Sequence, residues 1–462
     1  MRRLIHCLVI TLGVPTNHGK RKPTRSVSEG ERSKRLSMSA RRFVKHSPSL
    51  TLRVSVGRRC CLPGIIAAPI ILLWSLTGFV PAAEFDSAKL EQIKVRMQAF
   101  VDQKLIAGAV TAVGSKEGVA QLEAVGFQKL ETKQPMPKDA LFRIASMTKP
   151  ITALGIMILQ EEGKLSVDDL VEKHLPAFRG QRIVGAREAE TITLKKPSRP
   201  ITLRDLMTHT SGLPSGFPTG LADLYQSRQL TLAEAVLVSS QQPLDFEPGS
   251  KWSYCNAGID TLGRVIEVGS GQSYEEFLTA RVFRPLGMTD TCVFPNEAQT
   301  ARIAGLYDSK EGELVTANRP IVGPATGAKH PIPAGGLYST ANDLAKLYQA
   351  MLNAGRSKTA KIVSPESLLT MTKVQTGDLT CGFVPGMGFG FGWAVVKEPQ
   401  GVTSMMSPGT FGHGGAFGTQ GWIDSKQDLF VILLIQRVGL QNADGSDLRR
   451  DFQTLATEAI KK

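Results

Sequence analysis

The stretch FRIASMTKPITALGIMILQEEGKL, Phe142–Leu165, decides how the rest of this sequence is read. Ile151, Leu154, Ile158 and Leu159 recur at helical spacing and Gly163 ends the run, so a helix is expected from about Ser146 to Glu162. Pro150 falls in its first turn, where a missing N–H costs little. Ser146 and Lys149 stand at its head. Three residues along a helix advance about 300° and about 4.5 Å, so the two side chains share a face. A serine hydroxyl is a weak nucleophile without a base. Lysine can be that base only when neutral, which requires burial or a nearby cation to pull its pKa down from about 10.4. A serine in the first turn also places its own N–H at the positive helix end, where an oxyanion is stabilised. Ser-x-x-Lys occurs once here; alone, it describes a polar cap with a solvated lysine equally well. No Gly-x-Ser-x-Gly elbow competes with it.

Two later elements carry compatible chemistry. Tyr254-Cys255-Asn256 is the one Tyr-x-Asn among six tyrosines. A phenol near Lys149 can pass a proton between serine and leaving group, and an Asn amide can hold a substrate carbonyl and the lysine. The plainer reading is a buried Tyr254 with Asn256 capping a helix that begins near Ala257. Cys255 has no evident base and is read as packing. His413-Gly414-Gly415-Ala416 lies within GTFGHGGAFGTQGWID. Glycines on a strand leave room for a substrate to pair along it, and the Ala416 N–H can supply a second oxyanion donor. The plainer reading is a tight turn with a surface histidine.

Around these elements the chain alternates in kind. A helix is expected over Ser87–Gln103, then strands over Ala109–Ser115 and Gln121–Gln128 joined by a glycine turn. The middle, to about Gly327, reads as irregular and helical. A helix over Thr340–Asn353 follows, with Thr340 and Asp343 as its cap pair. Strands are expected over Gly388–Lys397, Thr410–Gly415, Gln420–Asp424 and Leu429–Gln436, the last apolar without alternation as if covered on both faces. A closing helix spans Asp447–Ile460. One sheet built from both chain ends, with a helical lobe inserted, makes an α/β two-lobe enzyme layout.

Taken together, Ser146-x-x-Lys149, Tyr254-x-Asn256 and His413-Gly414-Gly415 resemble the serine β-lactamase and D-alanyl-D-alanine carboxypeptidase superfamily, nearest its class C and esterase-like branch. LMTHTSGLP (Leu206–Pro214), FEPGSKWSYCNAG, RPLGMTDT (Arg284–Thr291), AGGLYSTANDLAK (Ala334–Lys346) and GFGFGW (Gly388–Trp393) keep the family's order over about residues 90–455. The resemblance implies an antiparallel sheet flanked by helices (α+β), with a sheet lobe at about 84–145 and 330–462 and a mostly helical lobe at about 146–329. It implies Ser146 as acylated nucleophile, Lys149 as general base and Tyr254 as proton shuttle. Asn256 would contact the substrate amide, and the Ser146 and Ala416 amides would form the oxyanion hole. His413 and Gly414 stand where the family usually has the Lys and Thr that grip a substrate carboxylate. That departure disfavours β-lactams and leaves esters or small peptides. The expected activity is a serine hydrolase acting on an ester, a β-lactam or a peptidoglycan-type D-amino-acid peptide. A catalytically silent binding or scaffold protein that kept the fold is the alternative.

Composition narrows the partners. The chain is 462 residues long, 42% hydrophobic and 21% charged, the balance of a globular protein. Its formal charge of +14 looks like a nucleic-acid binder's until it is located. Residues 1–83 hold 15 Lys/Arg against 2 Asp/Glu, so residues 84–462 carry +1 and nucleic acid is not an expected partner. Three cysteines (Cys255, Cys292, Cys381) and four histidines (His174, His209, His330, His413) remain there, without zinc spacing. No metal and no cofactor are expected. Leu62–Val80 is uncharged, follows Arg58-Arg59 and precedes Pro81-Ala82-Ala83, which is the pattern of a secretory signal peptide. The protein is therefore expected in the periplasm or secreted, with a membrane contact only through an uncleaved leader. The basic residues before the signal read as disordered, with translation starting downstream, at Met38. N-terminal sequencing of the exported protein should find a start near Ala83; a start at Met1 would overturn this reading.

Overall fold

The computed structural model describes residues 82–188, 191–218, 220–318, 327–357, 360–440 and 443–461. The expected signal peptide and most of the basic leader lie outside the described residues. Helix α1 (Ser87–Asp102) begins where the Asp86 carboxylate accepts the N–H groups of Ala88 and Lys89, two donors that a helix start leaves unpaired. Strands β1 (Gly108–Ser115) and β2 (Gly118–Lys129) form a hairpin, extended by the short β3 (Gln134–Pro135). Helices α2 (Thr148–Glu161), α3 (Asn256–Ser270) and α4 (Ala341–Leu352) follow. The far end supplies β4 (Met387–Phe389), β5 (Ala394–Val396), β6 (Phe411–Gly414), β7 (Gln420–Asp424) and β8 (Leu429–Leu434), then α5 (Asp447–Glu458). Their order across the sheet is β4-β5-β6-β7-β8-β1-β2-β3, antiparallel throughout. Val110 faces Leu434 and Val113 faces Val431 where the two chain ends meet.

Period-two geometry explains the unbroken apolar run of β8. Phe430, Ile432 and Leu434 enter the core shared with α2 and α3, while Leu429, Val431 and Leu433 enter the one shared with α1 and α5. Each face is covered, so neither set can be polar.

The sequence expectations differ from the structure in four places. Gly388–Lys397 is two strands, because Gly392 at φ +73 turns the chain between β4 and β5. Two short hairpins, Ile183–Arg187 with Ile192–Lys195 and Tyr307–Lys310 with Glu313–Thr316, stand in the expected helical middle. The helix at Ser146 opens as a 3-10 turn, Ala145–Met147, and Thr148–Leu159 is buried all round rather than along one stripe. Thr340 caps α4 by accepting the Asp343 N–H, but the Asp343 carboxylate instead accepts the Asp290 and Thr291 N–H groups. Cys255, Cys292 and Cys381 are all unpaired thiols.

The end of β6 abuts the turn before Ser146. The Gly415 N–H donates to the Thr419 carbonyl at 2.7 Å, and Thr419 Oγ1 donates to the Ile144 carbonyl at 3.3 Å. A Cβ on Gly415 would come within 2.1 Å of Thr419 Oγ1 and 2.6 Å of the Ile144 oxygen. Ala145, beside it, sits at φ +46, a conformation that L side chains rarely adopt. Gly415→Ala should therefore cost about 1–3 kcal/mol, read as a lowered Tm, and should slow labelling of Ser146 by a fluorophosphonate.

Candidate active site

Ser146 is half-buried at the mouth of the 3-10 turn, and Lys149 one turn further is completely buried. Lys149 Nζ lies 3.0 Å from Ser146 Oγ and donates to the Ala334 carbonyl at 2.6 Å. That carbonyl is held in place by its neighbours. The Ala334 N–H donates to Asp260 on α3 at 2.9 Å, and Thr152 on α2 donates to the Pro333 carbonyl at 2.8 Å. The AGGLYSTANDLAK segment thus supplies a fixed acceptor for the amine. Burial pulls the Lys149 pKa down to about 7, against the opposing pull of Asp260 and Cys255. A neutral amine at that position can accept the serine proton across the same 3.0 Å.

Tyr254 closes the other side. Lys149 Nζ is 4.6 Å from its ring centroid, and its hydroxyl is buried with no partner among the described residues that meets hydrogen-bond geometry. Burial raises the phenol well above its ordinary pKa, while the adjacent Ser146 hydroxyl pulls the other way. The phenol is therefore close to the serine hydroxyl.

His209, quoted in the sequence only as part of LMTHTSGLP, turns out to hold Tyr254. Its carbonyl accepts the Ser253 N–H at 2.9 Å and its Nδ1 accepts the Cys255 N–H at 3.1 Å, so both flanking residues of Tyr254 hang from it. The His209 ring lies 4.5 Å from the Tyr254 ring. An accepting Nδ1 requires a neutral ring with its proton on Nε2, and burial and Lys149 push the pKa well below 6.5. The His209 backbone itself sits at φ +60, in the left-handed region. The signal was a histidine inside a polar turn; its partners lie more than forty residues away.

The remaining residues are placed as follows. Asn256 is the exposed first residue of α3; its N–H donates to Ser215 Oγ at 3.1 Å. It borders a cavity of about 100 Å³ shared with Phe217, Tyr225 and Asp260. The helix cap is Cys255, whose sulfur accepts the Gly258 N–H at 3.3 Å. Burial pushes that thiol up to about 12, so it is no nucleophile. His413 is buried on β6, not a surface histidine. Its Nδ1 donates to the Gly414 carbonyl at 2.6 Å, and burial with Lys149 nearby lowers its pKa to about 4. Beyond Gly412 no β5 residue pairs with β6, so among the described residues no strand pairs with His413 and Gly414 on that side. Ala416 is exposed in the turn that follows. Ser146, Lys149, Tyr254 and His413 are thus brought together; Asn256 stands at the rim.

Residues 93–456 match the Beta-lactamase family. The chain belongs to the β-lactamase family. It is 31% identical to Esterase EstB of Burkholderia gladioli over 386 residues, covering 76% of this chain and 92% of that one. A putative D-alanyl-D-alanine carboxypeptidase of Salmonella typhimurium is 25% identical over 415 residues, 80% of this chain and 90% of that one. Among solved structures, EstCE1, described as a hydrolase with promiscuous acyltransferase activity, superposes with a TM-score of 0.67 at 24% identity, over 80% of this chain and 98% of that one. That likeness confirms the fold.

The Lys149 amine must be uncharged to take a proton, so kcat/KM for an acyl substrate should fall below pH 7 and level off above it. Asp260 raises the Lys149 pKa, so Asp260→Asn should move that acid limb to lower pH. A profile flat from pH 5 to 9 would show that Lys149 does not carry the ionisation.

Proposed function

We propose that this β-lactamase-family serine hydrolase cleaves esters through an acyl-Ser146 intermediate. The observation that carries the reading is a fully buried Lys149 amine 3.0 Å from a solvent-reachable Ser146 hydroxyl. Lys149 takes the hydroxyl proton as Oγ bonds to the ester carbonyl carbon. The Ser146 N–H, at a helix start without an intrahelical acceptor, and the Ala416 N–H receive the oxyanion. The bond to the leaving oxygen then breaks, Tyr254 gives that oxygen its proton, and the phenol is reprotonated from Lys149. In the second half, water loses a proton to the same pair as its oxygen bonds to the acyl carbon. The bond to Ser146 Oγ then breaks, Oγ takes that proton back, and the acid is released.

Esters are favoured over carboxylate-bearing β-lactams and peptides because His413 is neutral where the resemblance calls for a cation. EstB, an esterase by name, supports the same choice. The charged, apolar and small-residue order of the leader supports action in the periplasm or outside the cell.

A panel of p-nitrophenyl butyrate, nitrocefin and a D-Ala-D-Ala peptide tests the proposal. Ester turnover should dominate, a fluorophosphonate should label Ser146 by mass spectrometry, and Ser146→Ala should lower kcat at least about a thousandfold. Absence of both label and turnover in the wild type would favour the scaffold reading.

A further inference from the structure

With its carbonyl received by the Ser146 and Ala416 N–H groups as proposed above, an acyl group on Ser146 would extend its chain beside His413 and Gly414. The structure shows what it meets there. The small cavity against these residues, about 20 Å³, has apolar walls from Phe383, Met387 and Phe389. Asp444 stands at its border. A Cβ on Gly414 would come within 2.1 Å of Asp444 Oδ1, so this carboxylate lies directly against the strand. Gln420 Nε2 fixes it by donating to the same oxygen at 3.0 Å.

The nearest guanidinium, that of Arg449, is the more buried partner of this carboxylate. Arg449 is 1% exposed, packs 4.0 Å from the Trp422 ring centre and donates to the backbone carbonyl of Asp444 at 2.8 Å. Its Nη1 is 4.0 Å from Asp444 Oδ1, while the Asp444 side chain keeps 22% exposure. Arg449 lines the same cavity, but of the pair the anion is the member that solvent and a bound group can reach. Consistent with this, Asp444 acts electrostatically on both His413 and Tyr254.

We propose that Asp444 is a specificity-determining residue that selects uncharged or amine-bearing acyl groups and rejects carboxylates. The proposal rests on acylation of Ser146 as set out above and names the substrate class of that site. A carboxylate on the acyl chain would enter a partly desolvated space beside a fixed like charge, where repulsion is weakly screened. An ammonium would gain from the same field. Gly414 belongs to this device, because any side chain there would displace the carboxylate.

The test uses three matched esters: p-nitrophenyl benzoate and its 3-carboxy and 3-aminomethyl derivatives. In the wild type, kcat/KM should rank aminomethyl at or above neutral, and neutral above carboxy. Asp444→Asn keeps an oxygen for Gln420 and removes the charge. It should raise the carboxy-to-neutral ratio by about tenfold or more and abolish the aminomethyl advantage. A ratio within twofold of wild type would overturn the proposal. Should Asp444→Asn fail to fold, the wild type decides alone. A wild type that turns over the carboxy ester as fast as the neutral one, or the aminomethyl ester more slowly than the neutral one, overturns the claim. Absent turnover of the neutral ester with no acylation of Ser146 would overturn the hydrolase reading itself, a result distinct from an unchanged selectivity.

Discussion

The arrangement depends on keeping one amine dry. A lysine in water holds its proton far above neutral pH and is useless as a base toward an alcohol. Lys149 is relieved of that proton by burial on every side, with one carbonyl and one hydroxyl as its polar company. Its folded pKa of about 7 against 10.5 when exposed has a thermodynamic sign. The unfolded chain binds the extra proton between these limits, so the penalty on the folded state is absent above pH 10.5, grows as pH falls, and is complete below 7. Its size is on the order of 5 kcal/mol. The surrounding fold must offset it, and the all-round burial of α2 within the core shows where that offset comes from.

The same constraint explains the company Lys149 keeps. Two histidines face the site, and Lys149 lowers the pKa of each. Three nitrogen bases in one poorly solvated space cannot share more than one proton cheaply. Both rings are therefore neutral, each with one nitrogen committed to backbone: His209 Nδ1 accepting from Cys255 and His413 Nδ1 bound to the Gly414 carbonyl. They serve as walls and supports rather than as charges.

Much of this was legible in the sequence, for reasons that differ by residue. Ser146 and Lys149 are three positions apart, and helix geometry alone puts them on one face. Strand β8 announced its double coverage through composition. Tyr254 and His413 were singled out by their order relative to Ser146, although nothing local showed that they would meet. His209 and Asp444 stayed hidden because their effects arise from contacts across the fold, with Cys255 in one case and Gly414 in the other. The division of Gly388–Lys397 at Gly392 was missed because a glycine inside an apolar strand pattern signals a bulge and a turn alike.

The two ends of the described chain are tied to each other. The Asp86 N–H donates to the Ala459 carbonyl and the Lys461 N–H to the Glu84 carbonyl, each at 2.8 Å. Helices α1 and α5 carry these ends on the face of the sheet opposite to α2 and hence to Ser146. A bead or carrier joined directly at Glu84 or at Lys461 would therefore sit on the side of the sheet away from Ser146.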